Sequence, residues 1–147
     1  YGMNITSLRF ANIIGPNSSH KKGAVTTFMK AINEEKTIRI YGDGNATRDF
    51  LFVKDLCFGI LNAMKANLKG YNVFHLATGK ETTINELVST ICNIAEKPNF
   101  PIQYLKKRHG EVEKNFADSS LAMKLINFKV TTNFYEAIKQ TWDKFKV

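Results

Sequence analysis

The sequence predicts an α/β fold, and three features lead to it. Short runs rich in β-branched and aromatic residues alternate with longer stretches whose apolar residues recur at helical spacing. Glycine, proline and capping residues fall where one period gives way to the other. No internal repeat or low-complexity linker divides the chain, which at 147 residues and 44% hydrophobic composition is long enough to bury one core as a single region, residues 1–147.

The elements follow in order. Asn4 to Ile14, NITSLRFANII, reads as a buried strand that stops at Gly-Pro-Asn. The loop runs on through SSHKKG, and a helix begins near Ala24 with Val25, Phe28, Met29 and Ile32 on one face. TIRIY is a short strand with Ile38 and Ile40 on the same side, followed by a Gly-Asp-Gly turn and the apolar run FLFV. Asp55 falls in the first turn of the next helix, LCFGILNAMKA, where its charge suits the N-terminal dipole. YNVFHLATG is another apolar strand, closed by glycine. Thr83 and Glu86 have capping-box spacing, and Ile84, Leu87, Val88, Ile91 and Ala95 repeat at helical period behind them, ending before Pro98. The tail reads as a strand at IQYL, a basic loop KKRHGE, a strand near KNFA and a helix opening at Asp118 or Ser119. A last helix carries Phe134, Ile138, Trp142 and Phe145 on one core-facing stripe.

A net charge of +8 points to anionic partners: nucleic acid, a membrane surface or phosphorylated small molecules. Placement narrows the choice. The densest runs, Lys21 with Lys22 and Lys106 to His109, fall in loop-like sequence, whereas a nucleic-acid module needs a basic helix or aromatics interleaved on a sheet. No apolar run is long enough to span a bilayer, and the N-terminus lacks the features of a signal peptide, so the sequence reads as cytoplasmic. Cys57 and Cys92 both lie in apolar helical patterns and read as buried free thiols. His20, His75 and His109 show no zinc-type spacing, which predicts no metal site, and His75 reads as a strand histidine satisfied locally.

Four polar features remain: Asn12 ahead of Gly-Pro-Asn, the Gly-Asp-Gly turn with Arg48 and Asp49, Thr-Gly-Lys-Glu-Thr after the FHLA strand, and Arg108-His109-Gly110-Glu111. Taken singly, each has a plain reading. A glycine loop is a turn, Arg48 with Asp49 is a structural ion pair, and a lysine run is a solvated surface.

Taken in order, they resemble the NAD-dependent epimerase/dehydratase family, the extended short-chain dehydrogenases that act on nucleotide sugars. The matching segments are SLRFANIIGPN, IYGDGNATRDFLFVKDL, FHLATGKETTINEL and RHGEVEKNFADSSLAMKLINF. The third and fourth correspond to the family's Asn-x-Gly-x-Gly strand and to Arg-Pro-Gly-Asp followed by Ala-Asp-x-Ser. The resemblance covers nearly the whole chain, and the Gly-Asp-Gly block is its most specific part. It implies the C-terminal substrate-binding half of an extended short-chain dehydrogenase, with strands that complete a Rossmann-type sheet. The NAD-binding Rossmann part is then expected upstream of Tyr1, because no Gly-x-Gly-x-x-Gly loop and no Tyr-x-x-x-Lys pair occurs here. On this reading the chain holds no catalytic residue and is inactive alone. NAD is bound mainly by the absent part, and the full-length enzyme is a homodimer.

The resemblance also implies residue roles. Arg48 reaches the diphosphate of a UDP-sugar, with Asn12 and Arg108 as further diphosphate contacts. Glu111 accepts the ribose hydroxyls, Ile40 and Tyr41 line the base through backbone groups, and the amides of Ala24 and Val25 at a helix start add donors for phosphate. The implied reaction is 4-epimerisation by transient oxidation at the sugar C4, with a 4,6-dehydratase or decarboxylase as the alternative on the same scaffold. A non-catalytic basic binding module is the alternative from another class. The dehydratases carry Arg-Asp-Trp and Asp-His where Phe50 and Leu56 stand, which favours the epimerase. Other departures are His109 for proline, Glu111 for aspartate, His75 for asparagine, and Ile126-Asn127-Phe128 for Leu-Gly-Trp.

Overall fold

The computed structural model describes residues 2–145; Tyr1 lies outside them. Among the described residues, eight strands and five helices alternate. They are β1 (Ile5–Phe10), β2 (Asn12–Ile14), α1 (Ala24–Asn33), β3 (Ile38–Tyr41), β4 (Thr47–Arg48), β5 (Phe50–Phe52) and α2 (Val53–Lys65). β6 (Tyr71–Leu76), β7 (Thr82–Thr83), α3 (Ile84–Ile94), β8 (Ile102–Leu105), α4 (Ser120–Ile126) and α5 (Phe134–Asp143) complete the order. β1 pairs with β6, β2 with β5 and β3 with β8, all parallel, as expected of an α/β chain; β4 and β7 are antiparallel.

Sequence periodicity sets two packed layers. The apolar face of α1 (Val25, Phe28, Met29, Ile32) meets Ile38 and Ile40 of β3, Leu87, Val88 and Ile91 of α3, and Ile138 and Trp142 of α5 in one cluster. A second cluster gathers Leu51, Leu56, Phe74, Leu76, Ala122, Ile126 and Phe128 around α2, α4 and β6. The capping signal at α3 is realised, since Thr83 Oγ1 accepts from the Glu86 amide at 3.0 Å. Phe145 is buried with its stripe, just past the end of α5.

Asn127 accounts for one departure in the sequence. It ends α4 with φ 52° and ψ 38°, the left-handed conformation that a glycine takes at low cost and asparagine tolerates. Phe128 then folds back into the core, its amide donating to the Ala122 carbonyl at 3.3 Å.

Four expectations change. Asn4 to Ile14 is not one buried strand but two, and β1 is half-buried at three positions and exposed at the other three, because among the described residues β6 alone pairs with it. KNFA forms no strand: beyond Glu113, whose carbonyl accepts from the Thr47 amide at 2.7 Å, the segment pairs with no strand among the described residues, and Phe116 is exposed. Cys57 is exposed, because α2 buries Leu56, Gly59 and Ala63 and turns Cys57, Phe58, Leu61 and Met64 outward; Cys92 is buried as expected. Asp55 does more than face a dipole, since its buried carboxylate accepts from the Thr131 hydroxyl and the Thr132 amide.

Candidate functional site

The site begins where β1 hands over to β2. The Ala11 amide donates to Leu76 of β6 at 3.1 Å, and the next amide, of Asn12, to the Asp49 carbonyl at 2.9 Å. Asn12 thus stands where the strand changes partners. Its side-chain amide also donates to the Asp49 carbonyl, at 3.0 Å, which fixes the Asn12 carboxamide at the cleft wall.

Arg48 and Asp49 do not form the ion pair that their adjacency suggests. Successive side chains of an extended segment point to opposite sides, and these two take separate partners. Asp49 is fully buried and accepts from the Thr78 amide at 3.0 Å, the Thr78 hydroxyl at 2.6 Å and the Gly79 amide at 2.8 Å, so it holds the turn after β6. Arg48 Nη1 donates to the carbonyls of Thr47 at 2.7 Å and Val112 at 2.8 Å. Those bonds anchor one end of the guanidinium; Nε and Nη2 have no described partner, and Arg48 borders a cleft.

The Gly-Asp-Gly turn explains itself through packing. Gly44 has φ +76° and lies against the Asn85 side chain, leaving no room for a Cβ. The Asp43 carboxylate accepts from the backbone and side-chain amides of Asn45, both at 2.9 Å, and these bonds hold its pKa below the ordinary aspartate value. The turn is thereby tied to the start of α3, where the Asn85 amide donates to the Gly44 carbonyl at 3.0 Å.

Arg108 to Glu111 form a tight turn. The Glu111 amide approaches the Arg108 carbonyl at 3.4 Å, and Gly110 supplies the positive φ, 75°, that the third position of such a turn requires. His109 occupies the second position, where proline is favoured but not needed. The turn brings Arg108 and Glu111 to the same opening. Arg108 lies flat on the Tyr41 ring, its guanidinium carbon 3.5 Å from the ring centre. Glu111 Oε2 is buried without a hydrogen-bond partner among the described residues.

Two adjoining clefts collect the sequence candidates. One, of about 330 Å³, is lined by Asn12, Ala24, Val25, Arg48 and Glu111; the other, of about 190 Å³, by Ala24, Ile40, Tyr41, Arg108 and Glu111. Ala24 and Glu111 sit at the junction. The N-terminus of α1 opens here with no side-chain cap and no acidic residue in its first turn, in contrast to α3 and α5, each of which has both. The β3 edge also borders the second cleft. Ile38 and Gly42 donate their amides to the carbonyls of Pro101, just ahead of β8, and Leu105 at its end, at 3.0 and 2.9 Å, so alternation leaves the peptide groups of Arg39 and Tyr41 on the opposite edge, which no described strand pairs. Ile40 buries its side chain and turns its backbone to β8.

Sequence reasoning missed Lys21, Phe50 and Ile84 as lining residues. Lys21 is brought in by the folding of its loop: the Ser18 carbonyl accepts from the Lys21 amide at 2.9 Å and the Thr26 hydroxyl at 3.2 Å. Ile84 reads as pure helix core until the junction of α3 with the Gly-Asp-Gly turn is seen. Among the described residues, no cluster of His, Cys, Asp and Glu could hold a metal ion, and no helix is long and apolar enough to cross a membrane.

Chemically, the first cleft offers a guanidinium, an amide and a helix N-terminus to an anion, while the shared carboxylate of Glu111 needs a donor. Fold and clefts together thus set cationic and amide donors beside a carboxylate acceptor at one opening of an α/β fold. The chain belongs to the NAD dependent epimerase/dehydratase family, whose model matches residues 1–77. It is similar to the UDP-glucuronate 4-epimerase of Thermodesulfobacterium geofontis, 31% identical over 147 residues, covering 98% of this chain and 44% of that protein. The UDP-glucose 4-epimerase of Mycolicibacterium smegmatis is 27% identical over 148 residues, covering 99% and 47%. A solved structure, the UDP-N-acetylglucosamine 4-epimerase from Methanobrevibacter ruminantium in complex with UDP-N-acetylmuramic acid, superposes with a TM-score of 0.90 at 30% identity, covering 99% of this chain and 47% of that one. The Thermotoga maritima UDP-glucose 4-epimerase with UDP-glucose gives 0.87, also at 30%, covering 95% and 45%. The chain therefore spans somewhat less than half the length of these relatives, and it aligns with the second half of extended short-chain dehydrogenase-type epimerases.

Proposed function

We propose that this chain is the nucleotide-sugar-binding half of an NAD-dependent UDP-sugar 4-epimerase. The observation that carries this reading is the buried, unpartnered Oε2 of Glu111 at the junction of the two clefts. A buried carboxylate oxygen without a partner costs free energy that a ligand can return, and vicinal ribose hydroxyls are donors of the right kind.

The remaining contacts follow outward from Glu111. The diphosphate lies in the cleft of Arg48 and Asn12, where the free part of the guanidinium fork and the amides of Ala24 and Val25 meet its oxygens. Arg108 reaches it from the side of Tyr41. The base lies along the open edge of β3, where the peptide groups of Arg39 and Tyr41 present N–H donors and C=O acceptors to a uracil edge. Binding energy is thus concentrated on the nucleotide. That suits an epimerase, whose sugar ring must turn over while the rest stays held.

The glycine turn at 42–44 is filled by the Asn85 side chain, which leaves no dinucleotide cradle there. NAD and the acid/base pair belong, on this reading, to a companion Rossmann part, which extends the sheet at the open edge of β1. The exposed Ile5 and Phe10 there, and Tyr71 on β6, are the apolar residues such a part would cover. The chain alone then turns over no UDP-sugar.

Calorimetric titration of UDP and of 2′,3′-dideoxy-UDP into wild type and Glu111→Gln tests the role of Glu111. Wild type should prefer UDP, and Glu111→Gln should lose about tenfold in UDP affinity while binding the dideoxy compound as wild type does. Equal losses for both ligands, or no UDP binding by folded wild type, would overturn the reading.

A further inference from the structure

An open recess of about 640 Å³ adjoins the nucleotide clefts, between the Lys21-Lys22 loop, the outward side of α1 and the turn into β3. Phe28 and Ala31 contribute to its lining, and Lys21, Lys22, Lys30, Lys36 and Arg39 surround it together with Glu34 and Glu35. The two carboxylates are already engaged: Glu34 pairs with Lys36 at 2.8 Å and Glu35 with Lys97 at 3.3 Å. Lys21, Lys22 and Arg39 have no described ion pair, and Lys30 has only a longer-range attraction to Glu34, which leaves the recess with an excess of positive charge.

We propose that this recess binds a small polyphosphate anion at a second site, and that its occupant weakens nucleotide binding. A single exposed ion pair contributes little, so only a ligand with several charges close together gains enough from four separate cations to stay bound. The recess is continuous with the nucleotide clefts. Lys21 also lines the Arg48 cleft, and Lys22 and Arg39 also line the Tyr41 cleft. An anion in the recess therefore neutralises cations whose field draws a nucleotide diphosphate, while Arg48, Asn12 and the α1 N-terminus remain free. The antagonism is thus partial and reciprocal, unlike competition for one site. The coupling, though not the site itself, rests on the nucleotide reading.

Tripolyphosphate is the probe. With the nucleotide clefts filled by saturating UDP, calorimetry at low salt should show one tripolyphosphate per wild-type chain, with affinity falling steeply as salt is added. Lys30 borders the recess and neither nucleotide cleft. Lys30→Glu, with Lys30→Gln as the milder variant, should weaken tripolyphosphate about tenfold and UDP far less; because Lys30 lies in the last turn of α1, Lys30→Gln is the variant expected to melt as wild type does. In wild type, the apparent Kd for UDP should climb with tripolyphosphate and then level off. Absence of tripolyphosphate binding, or binding that ignores both Lys30 variants, overturns the site. A UDP Kd that rises without limit overturns the coupling by showing that the two ligands share one cleft. If wild type binds no UDP, the nucleotide reading falls, and the tripolyphosphate titrations still decide whether the recess is a site.

Discussion

Arg108 and Tyr41 come from segments far apart in sequence, yet the guanidinium of Arg108 lies stacked on the Tyr41 ring, 3.5 Å from its centre. A planar cation on an aromatic face is held in place without using its hydrogen-bond donors, which remain available to a ligand. If the ring positions Arg108, its removal should cost affinity only while Arg108 is present. Tyr41→Leu should weaken UDP binding about threefold to tenfold in wild type and have no effect in an Arg108→Ala background, whereas Tyr41→Phe should bind as wild type does. Additive losses in the double mutant would show that the ring acts independently.

Asp49 should matter to folding more than to binding. Its buried carboxylate accepts three hydrogen bonds from Thr78 and Gly79, so Asp49→Ala strands two amides and a hydroxyl. Loss of such a charge-assisted set costs about 3 kcal/mol or more, measurable as a lower urea midpoint. A variant as stable as wild type would mean that water or a neighbour replaces the carboxylate.

Much of this was legible in the chain, and the illegible parts have definite causes. The helical period behind Thr83 and the alternation in TIRIY depend on neighbours in sequence, and both elements form as read. The function of Asp49 depends on Thr78, 29 residues away, so adjacency to Arg48 misled. Cys57 sits in an apolar helical pattern, but α2 has apolar residues on two sides, and periodicity cannot say which side finds a partner. Arg108 and Glu111 were legible as candidates through the resemblance; the ring beneath Arg108 and the orphaned oxygen of Glu111 required three dimensions.

The two thiols give a direct check of that correction. Cys57 is exposed, while burial raises the Cys92 thiol pKa and covers its sulfur. A thiol reagent at neutral pH should therefore label one cysteine per native chain and both in denaturant. Rapid native labelling of both would place Cys92 outside the core.

Acid should loosen the Gly-Asp-Gly turn. Asp43 has a folded-state pKa below its unfolded value because Asn45 donates to its charged form, so its contribution to stability is present above about pH 4 and is lost as pH falls through the lower, folded value. Glu34, Glu113 and Asp118 shift in the same direction, so the informative quantity is a difference. Asp43→Asn should be less stable than wild type near neutrality, and the gap should narrow as pH is lowered to about 3. A gap independent of pH would assign the effect to shape instead of charge.

Arg48 is the sharpest test of the nucleotide site. Its Nη1 already bonds the carbonyls of Thr47 and Val112, so replacement has two consequences that must be read separately: a looser loop and a lost anion contact. Losing the loop bonds lowers the melting temperature whether or not UDP is present. Losing the contact from the rest of the fork removes charge-assisted hydrogen bonds worth roughly 1.5 to 3 kcal/mol each, so Arg48→Ala should weaken UDP by about one to two decades. Arg48→Lys keeps the charge but cannot both hold the two carbonyls and reach a diphosphate, so it should recover little. Uridine, which lacks the phosphates, supplies the control: its affinity should be nearly the same in all three proteins. A folded Arg48→Ala chain that binds UDP as tightly as wild type would leave Arg48 as a loop anchor and nothing more, and the diphosphate would then have to lie elsewhere.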